Sequence, residues 1–149
     1  MIKLHSDQRI NLLNQSGGFN AVNGLKIVEW KDGGAFLRVD LLPDHLNPLG
    51  IVHGGLFAAM LDVALAMSGS FRPLPEDLLP GLTLSLTLQY LTALRLEDGC
   101  AMAEARRTGG GKSIFYAEGK VLAPDGRIIA TATGVFKPGH KTASFKELR

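Results

Sequence analysis

From Leu82 to Tyr90 the chain alternates strictly, with Leu82, Leu84, Leu86, Leu88 and Tyr90 interleaved by Thr83, Ser85, Thr87 and Gln89. A period of two predicts a β-strand with one buried face. The pattern recurs more weakly elsewhere. Leu25, Ile27 and Val28 open a strand over residues 25–30. In residues 35–40, Ala35, Leu37 and Val39 alternate with Phe36, Arg38 and Asp40. Lys31-Asp32-Gly33-Gly34 between them reads as a hairpin turn. Residues 99–107, 113–122 and 127–136 predict three more strands. Arg106 and Arg107 stand at the end of the first, and Pro124-Asp125-Gly126 turns between the other two.

Residues 53–68 break this pattern. The run Leu56 to Met67 shows no alternation, and its Ala, Leu and Met favour helix. Because it is apolar on every side, the helix is expected to be buried all round. A second helix is predicted over residues 5–16, capped by Ser6 and stopped by Gly17-Gly18, with Ile10 and Leu13 facing the core. Helix, two strands, buried helix and four strands make an α+β protein. Its economical packing is one antiparallel sheet wrapped around the long central helix. One copy would leave part of that helix and one sheet edge uncovered, so a homodimer, or a dimer of dimers, is expected.

Composition narrows the reading. The 149 residues suit a single domain, and 46% hydrophobic with 20% charged is globular. A net charge of +2 is too small for a general nucleic-acid face, though it allows a basic pocket for a few phosphates. The lone Cys100 excludes an internal disulfide and a Cys-rich zinc site, and it reads as a buried strand residue. His5, His45 and His140 have no metal-ligand spacing, so no metal is expected. The first residues lack the apolar core of a signal peptide, and the longest apolar run is broken by Asp62 and too short to cross a bilayer. A soluble cytoplasmic protein with no membrane partner is the expectation.

Two features carry chemistry. Asp62 lies in the middle of the apolar helix, where a carboxylate costs several kcal/mol unless it is paired or hydrogen-bonded. It is either a satisfied structural Asp or a functional one. Gly54-Gly55 opens the same helix, where free N–H groups and the positive dipole end favour developing negative charge. Alone, this pair would be an ordinary loop-to-helix turn. Together, an anion-stabilising amide and a carboxylate about two turns deeper occupy one helix face, with the Asn47 amide just upstream. Such a set can hold a carbonyl by N–H groups while a carboxylate attacks it or activates water.

The run Asn47-Pro48-Leu49-Gly50-Ile51-Val52-His53-Gly54-Gly55 followed by Asp62 resembles the signature of hotdog-fold acyl-CoA thioesterases. The nearest subgroup is the PaaI-like (phenylacetate-degradation-type) enzymes, related to 4-hydroxybenzoyl-CoA thioesterases. The resemblance covers about residues 20–137. Residues 1–19 are then an N-terminal helix and lead-in, and residues 138–149 a tail. The resemblance implies a hotdog fold and hydrolysis of an acyl-CoA to free coenzyme A and a carboxylic acid, with no cofactor beyond the coenzyme A of the substrate. It implies that Gly54, aided by Gly55, polarises the thioester carbonyl and that Asn47 helps hold it. Asp62 is the nucleophile or the general base, and Thr83 positions the water. The site forms across the dimer, Asp62 and Thr83 facing Asn47 and Gly54 of the other copy. His53 suits a hydrogen-bonding role at the helix start more than direct proton transfer.

Arg106-Arg107-Thr108-Gly109-Gly110-Gly111-Lys112-Ser113 ends like a P-loop, but Arg106 stands where a glycine is required and strand, not helix, follows. The resemblance places this connection near the coenzyme A phosphates, so Arg106, Arg107, Thr108, Gly110, Lys112 and Ser113 are candidate contacts. A solvated basic hairpin is the alternative. Phe57, Met60, Leu61 and the 71–82 loop are candidates for the acyl pocket that suit an ordinary core equally. Two other functions fit the fold. A hydratase would need the loop Asp-x-Asn-Pro-x-His, which Asp44, Asn47 and Pro48 echo only at the wrong spacing. A non-catalytic acyl-CoA sensor would have no need to keep Asp62.

Overall fold

The computed structural model describes residues 2–72 and 81–139, with side chains from residue 8 onward. The chain opens with helix α1 (Ile2–Gln15) and the short helix α2 (Gly18–Val22). Strands β1 (Lys26–Lys31) and β2 (Gly34–Asp40) follow, then helix α3 (Gly54–Ser68) and strand β3 (Leu82–Tyr90). Strands β4 (Cys100–Gly110), β5 (Phe115–Leu122) and β6 (Ile128–Lys137) complete the fold. All pairings are antiparallel, in one six-stranded sheet ordered β1-β2-β4-β5-β6-β3. The sheet wraps α3, as the pattern of apolar positions required.

The helix sits close because the sheet beneath it is made of small residues. Ala103, Ala105, Ala117, Gly119, Ala132 and Gly134 are neighbours across β4, β5 and β6. A Cβ on Gly119 would stand 2.7 Å from Leu65 Cδ1 and from the Glu104 carbonyl oxygen. Met60, Leu61, Ala64 and Leu65 of α3 are fully buried, with Leu37, Val121 and Ile129 in the same core. Each large apolar side chain removed from water in this way contributes about 1.5–3 kcal/mol. Phe115 and Phe136 are direct cross-strand partners and stack at 5.3 Å.

Several expectations need correction. Helix α1 starts at Ile2, so Ser6 lies inside it and does not cap it. β4 runs on to Gly110 through a bulge at Thr108, which places Arg106 and Arg107 within the strand. β5 starts at Phe115, leaving Lys112 and Ser113 in the turn. Helix α2 and the single 3-10 turns Pro43–His45 and Leu96–Asp98 are too short to show a period. Finally, α3 is not buried all round: Ala58, Ala59, Asp62, Val63, Ala66 and Met67 form a half-buried stripe along one face. The anticipated tail lies, from residue 140 onward, outside the described residues, as do His5's side chain, His140 and residues 73–80 of the loop after α3.

Candidate active site

The loop before α3 is built on buried His45. Its Nδ1 accepts from the Leu42 N–H at 3.0 Å, and its Nε2 lies 3.0 Å from the Asn23 carbonyl, so the ring is neutral with Nε2 donating. The His45 carbonyl accepts from the His53 N–H at 2.8 Å. Asn47 holds the loop between these residues. Its Oδ1 accepts from the N–H of Leu49 at 2.9 Å and of Ile51 at 3.3 Å. The carboxamide oxygen is thereby committed, and the NH₂ is the end left to meet a ligand.

His53 is the N-cap of α3: its Nδ1 accepts from the Gly55 N–H at 2.8 Å. This assigns His53 the hydrogen-bonding role, directed at the helix start. It also occupies the Gly55 amide. The Gly54 N–H has no partner among the described residues, so of the two glycine amides only that of Gly54 is available to a carbonyl oxygen. Tyr90, at the end of β3, covers this glycine. Its hydroxyl donates to the Gly54 carbonyl at 3.3 Å, and a Cβ on Gly54 would stand 3.0 Å from the ring. Nothing in the sequence pattern separates Tyr90 from the other apolar residues of its strand.

Asp62 is half-buried on the open stripe of α3 and is satisfied by one side chain: the Thr83 hydroxyl donates to its Oδ1 at 2.6 Å. Thr83 therefore orients the carboxylate and leaves Oδ2 free. Both residues line a groove of about 240 Å³ that also involves α1, β1 and the last turns of α3. Eight residues separate Gly54 from Asp62, about 12 Å along the helix. One carbonyl cannot touch both groups of the same chain.

The cationic hairpin divides between two faces. Arg106 points to the outer face of the sheet, where it forms an ion pair with Glu118 beside the Lys120–Glu104 pair at 2.9 Å. Arg107 points to the helix side, its guanidinium 5.6 Å from the centre of the Phe115 ring and bonded to the carbonyls of Gly109 and Gly111. Lys112 and Ser113 are exposed in the turn, and Thr108 is exposed at the bulge. Gly110 has φ +109°, and a Cβ there would stand 2.4 Å from the Ile114 carbonyl oxygen, so the turn requires glycine. Arg106 and Arg107 thus stand on opposite faces of the sheet, with Lys112 and Ser113 in the turn beyond them.

Phe57, Met60 and Leu61 are core residues at 3%, 0% and 0% exposure. Cys100 is buried as expected. A second concavity, of about 680 Å³, lies on the outer sheet face; it contains neither Asp62 nor the start of α3, and its arginine and glutamates pair with neighbours. Among the described residues no three His, Cys, Asp or Glu gather as metal ligands, and no helix is long and apolar enough to cross a membrane.

Comparison with known proteins places this arrangement. The profile of the Thioesterase superfamily matches residues 49–130, from just after Asn47 to the start of β6. The Pseudomonas aeruginosa protein PA0474, whose name assigns it provisionally to the esterases, is 30% identical over 100 residues, 67% of this chain and 70% of its own. A single-substitution variant of the phenylacetic acid degradation protein PaaI from Thermus thermophilus superposes with a TM-score of 0.70 at 26% identity, covering 80% of this chain and 96% of that one. PaaI of the Escherichia coli phenylacetic acid degradation operon superposes with a TM-score of 0.79 at 17% identity, covering 95% and 99%. The sheet wrapped around α3 is the hotdog fold of these structures.

Proposed function

Given that this chain belongs to the thioesterase superfamily and has a PaaI-like hotdog fold, we propose that it is an acyl-CoA thioesterase. Water cleaves the C–S bond, releasing a carboxylic acid and coenzyme A thiol. Asp62 is the nucleophile or the general base. As a base, its Oδ2 takes a proton from water while the hydroxyl attacks the carbonyl carbon. The oxyanion that forms accepts from the Gly54 N–H, with the Asn47 NH₂ beside it. Collapse expels the thiolate, which takes up the proton. As a nucleophile, Asp62 attacks the carbonyl carbon and expels the thiolate, forming a mixed anhydride; water then opens it, releasing the carboxylic acid and restoring the Asp62 carboxylate, and a proton from that water goes to the thiolate. Thr83 keeps the carboxylate aimed in either case.

The observation that carries this reading is the Thr83–Asp62 hydrogen bond in the lining of a groove, with a free helix-start amide on the same α3. The 12 Å between Gly54 and Asp62, from the helical rise, supports a homodimer in which each carbonyl is held by Gly54 and Asn47 of one copy and attacked from Asp62 of the other. The exposed edge strand β3, with Leu82 at 58% and Leu84 at 54% exposure, supports the same assembly. Arg107, Lys112 and Ser113 are the contacts this reading gives to the coenzyme A phosphates. A cytoplasmic setting and the absence of any cofactor or metal belong to the proposal too.

The test is release of free thiol from a panel of aromatic and aliphatic acyl-CoAs, with Asp62→Asn alongside. Wild-type release that falls roughly 10²–10⁴-fold in the variant is expected. No release from any ester, with coenzyme A esters still bound, would turn the reading to a sensor, and enoyl-thioester hydration would be assayed next.

A further inference from the structure

The groove that Asp62 and Thr83 line is closed on its far side by α1. Leu13 and Asn14 of that helix line it, opposite Val63 and Met67 of α3, over a floor that includes Leu25 and Ile27. Leu25 is 5% exposed and Ile27 8%, so the floor is packed core, while Leu13 is half-buried against it. The polar side chain on this wall is turned away from the groove's contents. Asn14 Nδ2 donates to the Ile27 carbonyl at 2.9 Å, and its Oδ1 accepts from the Ile27 N–H at 2.8 Å. Leu13 is the α1 side chain left to face the space, and the Ser16 and Ser70 hydroxyls in the lining donate to the Leu13 and Met67 carbonyls.

The wall is fixed at two points. The Asn14 pair pins its C-terminal end to β1. One and a half turns earlier, the Arg9 guanidinium lies 5.0 Å from the ring centres of both Trp30 and Phe71 and donates to the Arg72 carbonyl. Trp30 is itself tied by its indole N–H to the Met67 carbonyl at 2.8 Å. Met67 lines the groove from the other side. The two walls are thus joined through Trp30, and their separation is set by packing rather than by a free helix.

We propose that α1 is the size-selecting wall of the acyl site, with Leu13 as its specificity-determining residue, and that the acyl group accepted is apolar and of medium size. This rests on the thioesterase reading above. A space of about 240 Å³ holds on the order of eight water-sized groups at ~30 Å³ each. A medium straight chain or a single aromatic ring fills it. An acetyl group leaves most of it empty, and a long fatty chain overruns the fixed wall.

The experiment measures kcat/KM for straight-chain acyl-CoAs from acetyl to palmitoyl, and for phenylacetyl-CoA, in wild type, Leu13→Trp and Leu13→Ala. Wild type is expected to peak at medium length. Leu13→Trp should lose at least tenfold on medium and aromatic groups while keeping its acetyl-CoA rate. Leu13→Ala should move the optimum to longer chains. The two variants change the wall in opposite directions, so one that fails to fold leaves the other to decide. An unchanged length profile in a folded variant would overturn the proposal. If wild type releases no thiol at all, the thioesterase reading fails separately. Calorimetric titration with carboxylic acids of graded length then decides the wall without turnover: a length preference lost in Leu13→Trp upholds it, and equal binding overturns it.

Discussion

The two edges of the sheet are treated in opposite ways. At the β1 edge, Asn14 presents a carboxamide to both the N–H and the carbonyl of Ile27, much as a neighbouring strand would. Helix α1 covers that edge, and Ile27 and Trp30 are buried under it. At the β3 edge nothing among the described residues does this. No residue of β3 is buried, and Leu82, Leu84 and Tyr90 are more than half exposed. Each edge carries an irregularity in register, at Val28 in β1 and at Leu84 in β3. A bulge alone therefore does not explain why one edge is sealed and the other bare. The chemistry sits with the bare edge: Thr83 holds Asp62 at one end of β3, and Tyr90 covers Gly54 at the other. The sealed edge is finished within one chain. The open one fits the homodimer proposed above, as does the long Gly54–Asp62 separation.

The strongest way to break this contrast is Leu84→Lys. A lysine on an edge strand opposes strand addition. Because Leu84 is 54% exposed, the fold itself should change by no more than about 0.5 kcal/mol. If the proposed homodimer holds, light scattering should show dimeric wild type and a monomeric variant, and thiol release should fall by about the 10²–10⁴-fold expected when the carboxylate is withdrawn from the carbonyl. A monomer with full turnover would mean that the site is complete in one chain and that the open edge is unconnected to the chemistry.

How far this contrast was legible in the sequence depends on the residue. The β3 alternation is plain, and so is the helix that follows Gly54-Gly55. Asp62 stands out as the one charged group of an apolar helix; Thr83 is singled out only by the family resemblance, which gave it a water to position and not the hydrogen bond to Asp62. Other features were hidden for physical reasons. Strict alternation predicts a buried face for β3, yet burial depends on what covers that face, and the described residues supply no cover. Asn14 looks like any polar helix residue, because its partners are backbone groups that carry no side-chain signature. The bulge at Thr108 sends Arg106 and Arg107 into different company, and an inserted residue in a ladder leaves no mark in a run of small and basic residues. The neutral His45 ring at the centre of the site loop is likewise invisible, since its partners, Leu42 and Asn23, offer only main-chain atoms.

The sealed edge is tested by Asn14→Ala. It leaves the Ile27 N–H and carbonyl unpaired in a partly buried place, at a cost of about 1–3 kcal/mol. In a chain of this size that lowers Tm by a few degrees per kcal/mol. The dimer should persist, since β3 is untouched. Asn14→Asp sharpens the point. Its ionised oxygen faces the Ile27 carbonyl where a donor is needed, whereas the protonated acid can donate there. The introduced carboxyl therefore has a raised pKa in the folded chain, so its contribution is present in acid and is lost as pH rises through that value. Thermal melts from acid to neutral pH should show Asn14→Asp nearer to wild type in acid. Parallel curves at every pH would mean that the carboxamide does not bridge the edge.

The smallest effect should come from a site that belongs to neither edge. Asp125 lies in the turn between β5 and β6, where it accepts from the Arg127 N–H at 3.0 Å and from its Nε at 2.7 Å. The Arg127 backbone bond first, and its side chain second, hold the Asp125 carboxyl below the usual carboxylate range. A depressed folded pKa stabilises the fold above the unfolded carboxylate pKa, and the gain is lost as pH falls through the folded value. Asp125→Asn should therefore melt slightly below wild type at neutral pH and level with it in strong acid. The loss is small because the turn is open to solvent and Arg127 keeps its 2.7 Å contact with Asp98. Mass and thiol release should not move. If this remote change altered assembly, the two edges would not be independent, and the division between a structural edge and a working edge would have to be given up.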